Sequence, residues 1–401
     1  MRILVHLDNL RVGGAQHSSL DLAVALAAAG HDVVLAAGPG PLTAVADARG
    51  LHRHLLPDAP HPSRYAARAL SDIVDEERSE VIVTFGPWAA MEAVTGPGWR
   101  HRVPVVAAYP SATLPPEAPR TTAVVARRRA VLDAARDRNP LVADVPAAVD
   151  ATYNRPGHPD VDADAFRREH GSPGAALLVL ATRLITEQKA AGIELCLRAV
   201  EVLARVRPVR LVIVGDGSQR DRFAALAGPA TVFVGEQADP RAAYAAADVV
   251  LGLGTSVVRG AAFARPCIAL GGDGQAVVVD DPSIAALTAT GWLAPGDPVD
   301  PEGLAAMIGD LLDDPERSVG SASAGRAAVL AERDGPRVVE ALVPVLDRAV
   351  APNRVALAVD IVRSWTSWWV RLHGGRLYRR VRFRFRRFRD RVRRRAAKMT
   401  P

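Results

Sequence analysis

Only two of the fifty basic residues are lysines, Lys189 and Lys398; every other positive charge is an arginine. Lys398 falls in a basic C-terminal stretch, so Lys189 is the single lysine of the folded body. It follows Arg183 closely, just past an apolar run (175–180) that reads as a strand. An ammonium is a compact point charge and a guanidinium a planar fork. The two together at a strand end suit a clamp on a phosphate or diphosphate. Three glycine turns, each after an apolar run, can complete such a cradle: Gly13-Gly14, Val214-Gly215-Asp216-Gly217, and Gly252-Leu253-Gly254-Thr255-Ser256. Glycine lets backbone approach a ligand closely, and a helix start presents free N–H groups. Gly13-Gly14 lacks the full G-x-G-x-x-G spacing, which disfavours a dinucleotide. Arg259, early in the helical stretch Val257–Ala264, reads either as a contact to phosphate or ribose or as a solvated surface charge.

The elements that must position these residues alternate. Strand-like runs fall at Ile3–Leu7, Asp32–Ala36, Val81–Thr84 and Val103–Ala107, then at Leu177–Ala181, Arg210–Val214, Thr231–Val234, Val249–Leu251 and Cys267–Leu270. Helical stretches such as Gln16–Ala29 and Ile193–Val206 lie between them. This order implies two α/β domains with parallel sheets covered on both faces. A turn-rich segment around Asn154–Asp160 separates the two series. The expected organisation is a Rossmann-like domain over 1–155, a second over 156–335, a closing helix over 336–352 and a basic, aromatic tail over 353–401. Ligands of such sheets collect at the carboxyl ends of the strands.

The order Gly13-Gly14-Ala15-Gln16, Thr182-Arg183-Leu184 with Lys189, Leu211 through Gly217, Phe233-Val234-Gly235, and Tyr244 through Val250 resembles glycosyltransferase family 4, the group 1 glycosyltransferases of GT-B fold. The resemblance spans about residues 1–350 and is more specific in its second half. It implies a nucleotide-sugar donor held mainly by the second domain, an acceptor on the first, retention of anomeric configuration and no metal or other cofactor. Arg183 and Lys189 would neutralise the departing diphosphate as the catalytic residues. Gly13 and Gly14 would approach it from across the cleft, with Gly215, Gly217, Gly254, Thr255, Ser256 and Arg259 around the donor and Glu236 bordering the base. The family commonly carries two glutamates eight positions apart; here those positions hold Leu251 and Arg259. It also often has a histidine after the strand matching Val103–Ala107, where this chain reads Ala108-Tyr109-Pro110-Ser111. A divergent transferase is expected, with a noncatalytic nucleotide-sugar-binding protein and a nucleotide-sugar epimerase as alternatives.

Composition narrows the rest. Apolar residues make up 49% of the 401, enough for substantial cores. Cys196 and Cys267 form neither a disulfide framework nor a metal-type spacing. The amino end reads as a strand rather than a secretion signal, and no run is long and apolar enough to span a bilayer. The net charge of +6 conceals an asymmetry. Residues 371–401 hold fourteen Arg/Lys against Asp390 alone, which leaves the other 370 residues at −7. Val355, Val359, Val362, Trp365, Trp369 and Leu372 recur at helical spacing, and Leu377, Val381, Phe385, Phe388 and Val392 repeat it among arginines. A basic amphipathic helix pair with Trp365, Trp368, Trp369, Phe385 and Phe388 as anchors is expected to dock on an anionic membrane surface. Nucleic acid is the disfavoured partner. A cytoplasmic enzyme on the inner face of the membrane, glycosylating a glycan or lipid-linked acceptor, fits these features. Asp160-Val161-Asp162-Ala163-Asp164 reads as acids at a helix start rather than a metal motif. Arg127-Arg128-Arg129 reads as a solvated helix face, with an acidic acceptor as the lesser alternative.

Overall fold

The computed structural model describes residues 1–110, 113–184 and 189–373. Seven parallel strands form the first sheet: β1 (Arg2–Asn9), β2 (Asp32–Gly38), β3 (Arg53–Leu55), β4 (Val81–Phe85), β5 (Val105–Ala108), β6 (Ala123–Ala126) and β7 (Val142–Asp144). Their spatial order is β3-β2-β1-β4-β5-β6-β7. The second sheet holds β8 (Ala176–Ala181), β9 (Val209–Val214), β10 (Thr231–Gly235), β11 (Val249–Gly252), β12 (Cys267–Leu270) and β13 (Ala276–Val278), in the order β10-β9-β8-β11-β12-β13. Only β12–β13 is antiparallel. β1 and β8 are thus the strands at which each sheet reverses direction. The crevice above such a switch point is where α/β sheets bind ligands, and the turns following β1 and β8 carry Gly13-Gly14 and Arg183.

Strand periodicity sorts side chains between layers. Ile3, Val5 and Leu7 enter the core beneath the helix Gly14–Ala28, and Leu4 enters the core on the opposite face. In β8, Leu177, Val179 and Ala181 face one layer, Leu178 and Leu180 the other. Near-continuous apolar runs therefore become strands buried on both faces. The helix Gly335–Arg348 does not stay with the second lobe: Val338, Leu342 and Val345 pack into the first lobe's core. Its glycine start allows this, because a Cβ on Gly335 would lie 2.7 Å from Cβ of Ala25.

The segment read as a basic, aromatic tail begins packed against the first lobe. Residues 354–373 form a helix whose Leu357 is buried against that lobe's outer core. Asp360 accepts from the Arg120 and Thr121 amides at 2.7 and 2.8 Å, and Trp365 Nε1 donates to Thr95 Oγ1 at 3.0 Å. Trp365 therefore serves in packing as well, with Trp368 edge-on to it at 5.6 Å. Phe385 and Phe388 lie outside the described residues. Asp162 caps the helix Ala163–His170 by accepting from Ala165 N at 2.7 Å, the capping role read from the sequence.

Candidate functional site

A cavity of about 710 Å³ lies between the two sheets. Its walls include Gly13 and Gly14 from the first lobe and Arg183, Lys189, Gly215, Glu236, Gly254, Thr255, Ser256 and Arg259 from the second. Gly217 is not among the bordering residues; its amide turns back to Asp216 Oδ1 at 2.7 Å.

The glycines answer to lobe-on-lobe contact. A Cβ on Gly14 would fall 2.1 Å from Thr255 Oγ1, and one on Gly13 would lie 3.4 Å from Arg183 Cζ. Only the first is a clash with the opposite lobe; at Gly13 the Arg183 distance is ordinary contact, and the close approach is to Gln16 Oε1 of its own lobe at 2.5 Å. Gly215 combines a φ of +147° with a virtual Cβ 1.9 Å from Thr182 O, and so holds the turn that carries Arg183. Gly254, at φ +63°, starts the helix Thr255–Ala262. The amino ends of this helix and of Gly14–Ala28 both border the cavity, a setting suited to anions. The Ser256 hydroxyl is spent inside its own turn, 3.0 Å from Leu253 N and 3.2 Å from Leu253 O.

Basic residues of the cavity wall outnumber its acids, which are Asp216, Glu236 and Asp273. Arg183, Lys189 and Arg128 border the cavity, and none has an ion pair with an acid among the described residues. Burial, Arg183 and Arg128 together push the Lys189 ammonium down to about 8. Burial also lowers Arg128. Arg128 corrects the reading of its run as a solvated helix face. Its three arginines have three fates: Arg127 pairs with Glu332 at 3.0 Å and Asp144 at 3.4 Å, Arg129 lies exposed near Asp133, and Arg128 enters the cleft. Arg128 crosses to the second lobe, its Nε 3.2 Å from where a Cβ on Gly291 would stand.

Arg259 also borders the cavity, but its guanidinium is committed. It is 5% exposed, and its Nη2 binds Asp21 Oδ2 at 2.6 Å while Nη1 donates to Asn154 Oδ1 at 3.1 Å. Asp21 is 1% exposed and takes Arg49 Nη1 on its other oxygen at 2.6 Å; Arg49 Nη2 continues to Asp150 at 2.6 Å. Tyr153 lies between Arg49 and Arg241, whose Cζ atoms are 4.4 and 3.5 Å from its ring centre. This network ties the first-lobe helix, the connecting turn and the second-lobe helix together. His17 borders the cavity beside it, and burial next to Arg259 drives its pKa down to about 3, so it is neutral. Leu251, at the other glutamate position, is fully buried in β11.

Acid–base groups that the sequence reading missed gather near the carboxyl end of β1. Glu92 accepts from His6 Nε2 at 3.0 Å, His61 Nδ1 at 2.7 Å and Ser63 N at 2.7 Å. Burial raises Glu92, but the bonds from the two histidines win and hold it down near about 2. Asp8 stands alongside, raised to about 6 chiefly by burial. The period-2 spacing of His6 and Asp8 places them on one face, a signal visible in the sequence once β1 is assigned. None of the four borders the cleft cavity.

The cleft has counterparts. A family model described as Glycosyltransferase Family 4 matches residues 12–136, and one described as Glycosyl transferases group 1 matches residues 175–314. No curated protein sequence matches. The Anabaena protein Alr3699/HepE, solved with UDP and glucose, superposes with a TM-score of 0.65 at 17% identity, covering 86% of this chain and 99% of its own. A glycosyltransferase from Rickettsia africae gives 0.63 at 14% identity over 86% and 98%. WaaG, a glycosyltransferase involved in lipopolysaccharide biosynthesis, gives 0.57 at 14% identity over 87% and 100%. At these identities the likeness establishes the fold, which is GT-B. With one family model on each lobe and together spanning about two thirds of the sequence, the chain belongs to the family 4, group 1 glycosyltransferases.

Proposed function

We propose that the protein transfers a sugar from a nucleoside diphosphate donor to a glycan or lipid-linked acceptor in cell-envelope or polysaccharide synthesis, with retention of configuration and without a metal. The observation that carries this reading is the set of cations Arg183, Lys189 and Arg128, without an ion pair among the described residues, bordering one cavity with the glycine turns at the switch points of both sheets. HepE was solved with UDP and glucose, and WaaG acts in lipopolysaccharide biosynthesis; both support the donor class and the pathway.

As the bond from the anomeric carbon to the diphosphate breaks, negative charge grows on the departing oxygen. Arg183 and Lys189 stand ready to meet it, and fixed charges in a secluded cleft need little reorganisation. The Gly13-Gly14 turn brings backbone amides to the same group, and Glu236 borders the base. Arg259 fastens the lobes rather than gripping the donor, which accounts for an arginine at the usual glutamate position. Binding is tested by thermal shift with UDP, GDP, dTDP and ADP and their sugars. A true donor at 100-fold over its Kd stabilises by about 2.7 kcal/mol. If no member of that panel shifts the protein, the reading fails.

The reaction takes place at a membrane surface in this proposal. The helix 354–373 turns Val355, Val359, Val362, Trp369, Val370 and Leu372 to the outside, with Trp369 52% exposed. The sequence that follows is dense in arginine. An apolar helix face joined to a basic segment has the chemistry to bind anionic lipid, each Arg near the surface contributing about 1 kcal/mol. Flotation with phosphatidylglycerol-containing liposomes against phosphatidylcholine alone, over a salt series, tests this, and equal recovery with both lipids would reject it.

A further inference from the structure

Resting on that reading of the cleft, we propose that the acceptor carries a phosphate and that Arg333, with Arg128 beside it, binds this group in a subsite distinct from the donor diphosphate. Arg333 stands where the chain leaves the last helix of the second lobe, Pro315–Glu332, and turns back toward the first. Its backbone is pinned: its amide binds Val329 O at 2.8 Å, and its carbonyl accepts from Val149 N at 2.9 Å. Its side chain is 3% exposed and borders the cavity. Yet the guanidinium has no hydrogen bond or ion pair among the described residues, and its buried Nε has no partner. The nearest approach of a ring is Trp292, 6.0 Å away.

The neighbouring acids are already engaged. Glu332 binds Arg127 at 3.0 Å and takes the Thr288 hydroxyl at 3.0 Å; Asp144 also binds Arg127, at 3.4 Å. Arg127, Arg128 and Arg333 therefore face two carboxylates, leaving one positive charge over. Burial, together with Arg127 and Arg128, lowers Arg333 to about 10, so it remains charged at neutral pH. A buried cation without a carboxylate is costly to a fold. One that borders a ligand cleft is explained if the ligand supplies the anion. A guanidinium offers a planar fork that matches a phosphate.

Two features separate this position from the donor clamp. Arg183 and Lys189 follow β8 in the second lobe, whereas Arg333 is tied to the first lobe through Val149, beside the bordering residues Pro146, Ala147 and Ala148. The main charged neighbours of Lys189 are Arg183 and Arg128, and those of Arg333 are Arg127, Glu332, Asp144 and Arg128. Arg128 is a charged neighbour of both Lys189 and Arg333, and all three border the cavity.

Calorimetric titration of inorganic phosphate, with and without saturating UDP, tests the proposal on wild type, Arg333→Met, Arg333→Lys and Arg183→Ala. Wild type is expected to bind phosphate even with UDP in place. Arg333→Met should weaken phosphate by at least about tenfold, keep UDP affinity within about twofold, and melt at or above the wild-type temperature because an uncompensated charge has gone. Arg333→Lys should recover part of the phosphate binding, and Arg183→Ala should lose UDP while keeping phosphate. Phosphate binding unchanged in Arg333→Met would overturn the subsite. So would a parallel loss of UDP, which would place Arg333 in the donor site, or a lowered melting temperature with binding intact, which would make it structural. Wild type that binds UDP but no phosphate up to millimolar concentration would also overturn it. Phosphate bound through Arg333 without any nucleotide binding would leave the subsite standing and reject the donor reading instead.

Discussion

Two groups of basic residues share the interface between the lobes, and they are built in opposite ways. In one, Arg49 and Arg259 converge on Asp21, Arg49 extends to Asp150 and Arg259 to Asn154. In the other, Arg183, Lys189, Arg128 and Arg333 border the cavity with no acid bound to them among the described residues. The first group balances its charge internally, although Arg259 Nε has no partner, and holds the lobes in register. The second has no carboxylate of its own among the described residues, and in the proposed function an anionic ligand completes it. A buried charge with its partner and a buried charge without one differ by several kcal/mol, so the two groups stand apart energetically.

The comparison is broken most severely at Asp21. Asp21→Ala would leave buried Arg259 without a carboxylate and Arg49 with Asp150 alone, and should destabilise by about 3–5 kcal/mol, read by urea unfolding. An unfolding midpoint close to wild type would deny the network its role. Next comes the opposite group. Arg183→Ala with Lys189→Ala should lower kcat/KM by about 10²–10³-fold without loss of folding stability. Unchanged turnover and nucleotide affinity would remove the two residues from the mechanism.

A smaller effect follows from Lys189 alone. Its folded pKa of about 8 lies below the ordinary 10.5, so the unfolded chain binds more protons between these values. The free protein should therefore gain stability from this group as pH rises from 8 to 10.5, and the penalty is fully present below 8. Nucleotide affinity should change the other way, falling above pH 8 as the ammonium is lost. Lys189→Met should flatten that decline, and an undiminished decline in this variant would assign the pH dependence elsewhere. At the bottom of the scale, Arg129→Ala removes an exposed arginine from the same run as Arg128 and should change stability by less than about 0.5 kcal/mol. A larger loss would mean that exposure is a poor guide to the roles of these arginines.

Much of the architecture is written in local pattern. Nine of the strands, the helices between them and the glycine turns all have periodicity or turn chemistry that a short window reveals. β3, β7 and β13 escaped because runs of three residues carry too little alternation to stand out, and the four-residue β6 escaped with them. That Arg183 and Lys189 would border the cleft was legible because lysine is so rare in this chain. Arg128 was not, since one position in a run of three identical residues has no local mark. Asp21 looks like any acid on an exposed helix face until Arg259, more than two hundred residues away, closes on it.

Sequence alone therefore determined the alternating layers, the positions of the flexible turns and the presence of a phosphate-suited pair after β8, because these depend on neighbours within a few residues. Which arginines would be matched and which left open, and that the helix 354–373 would lean on the first lobe through Leu357, Asp360 and Trp365, were decided only by the tertiary structure. The physical reason is that charge compensation and burial are properties of space: an arginine's role is fixed by whether a carboxylate arrives within about 3–4 Å, and the chain distance to that carboxylate carries no signal in the local pattern.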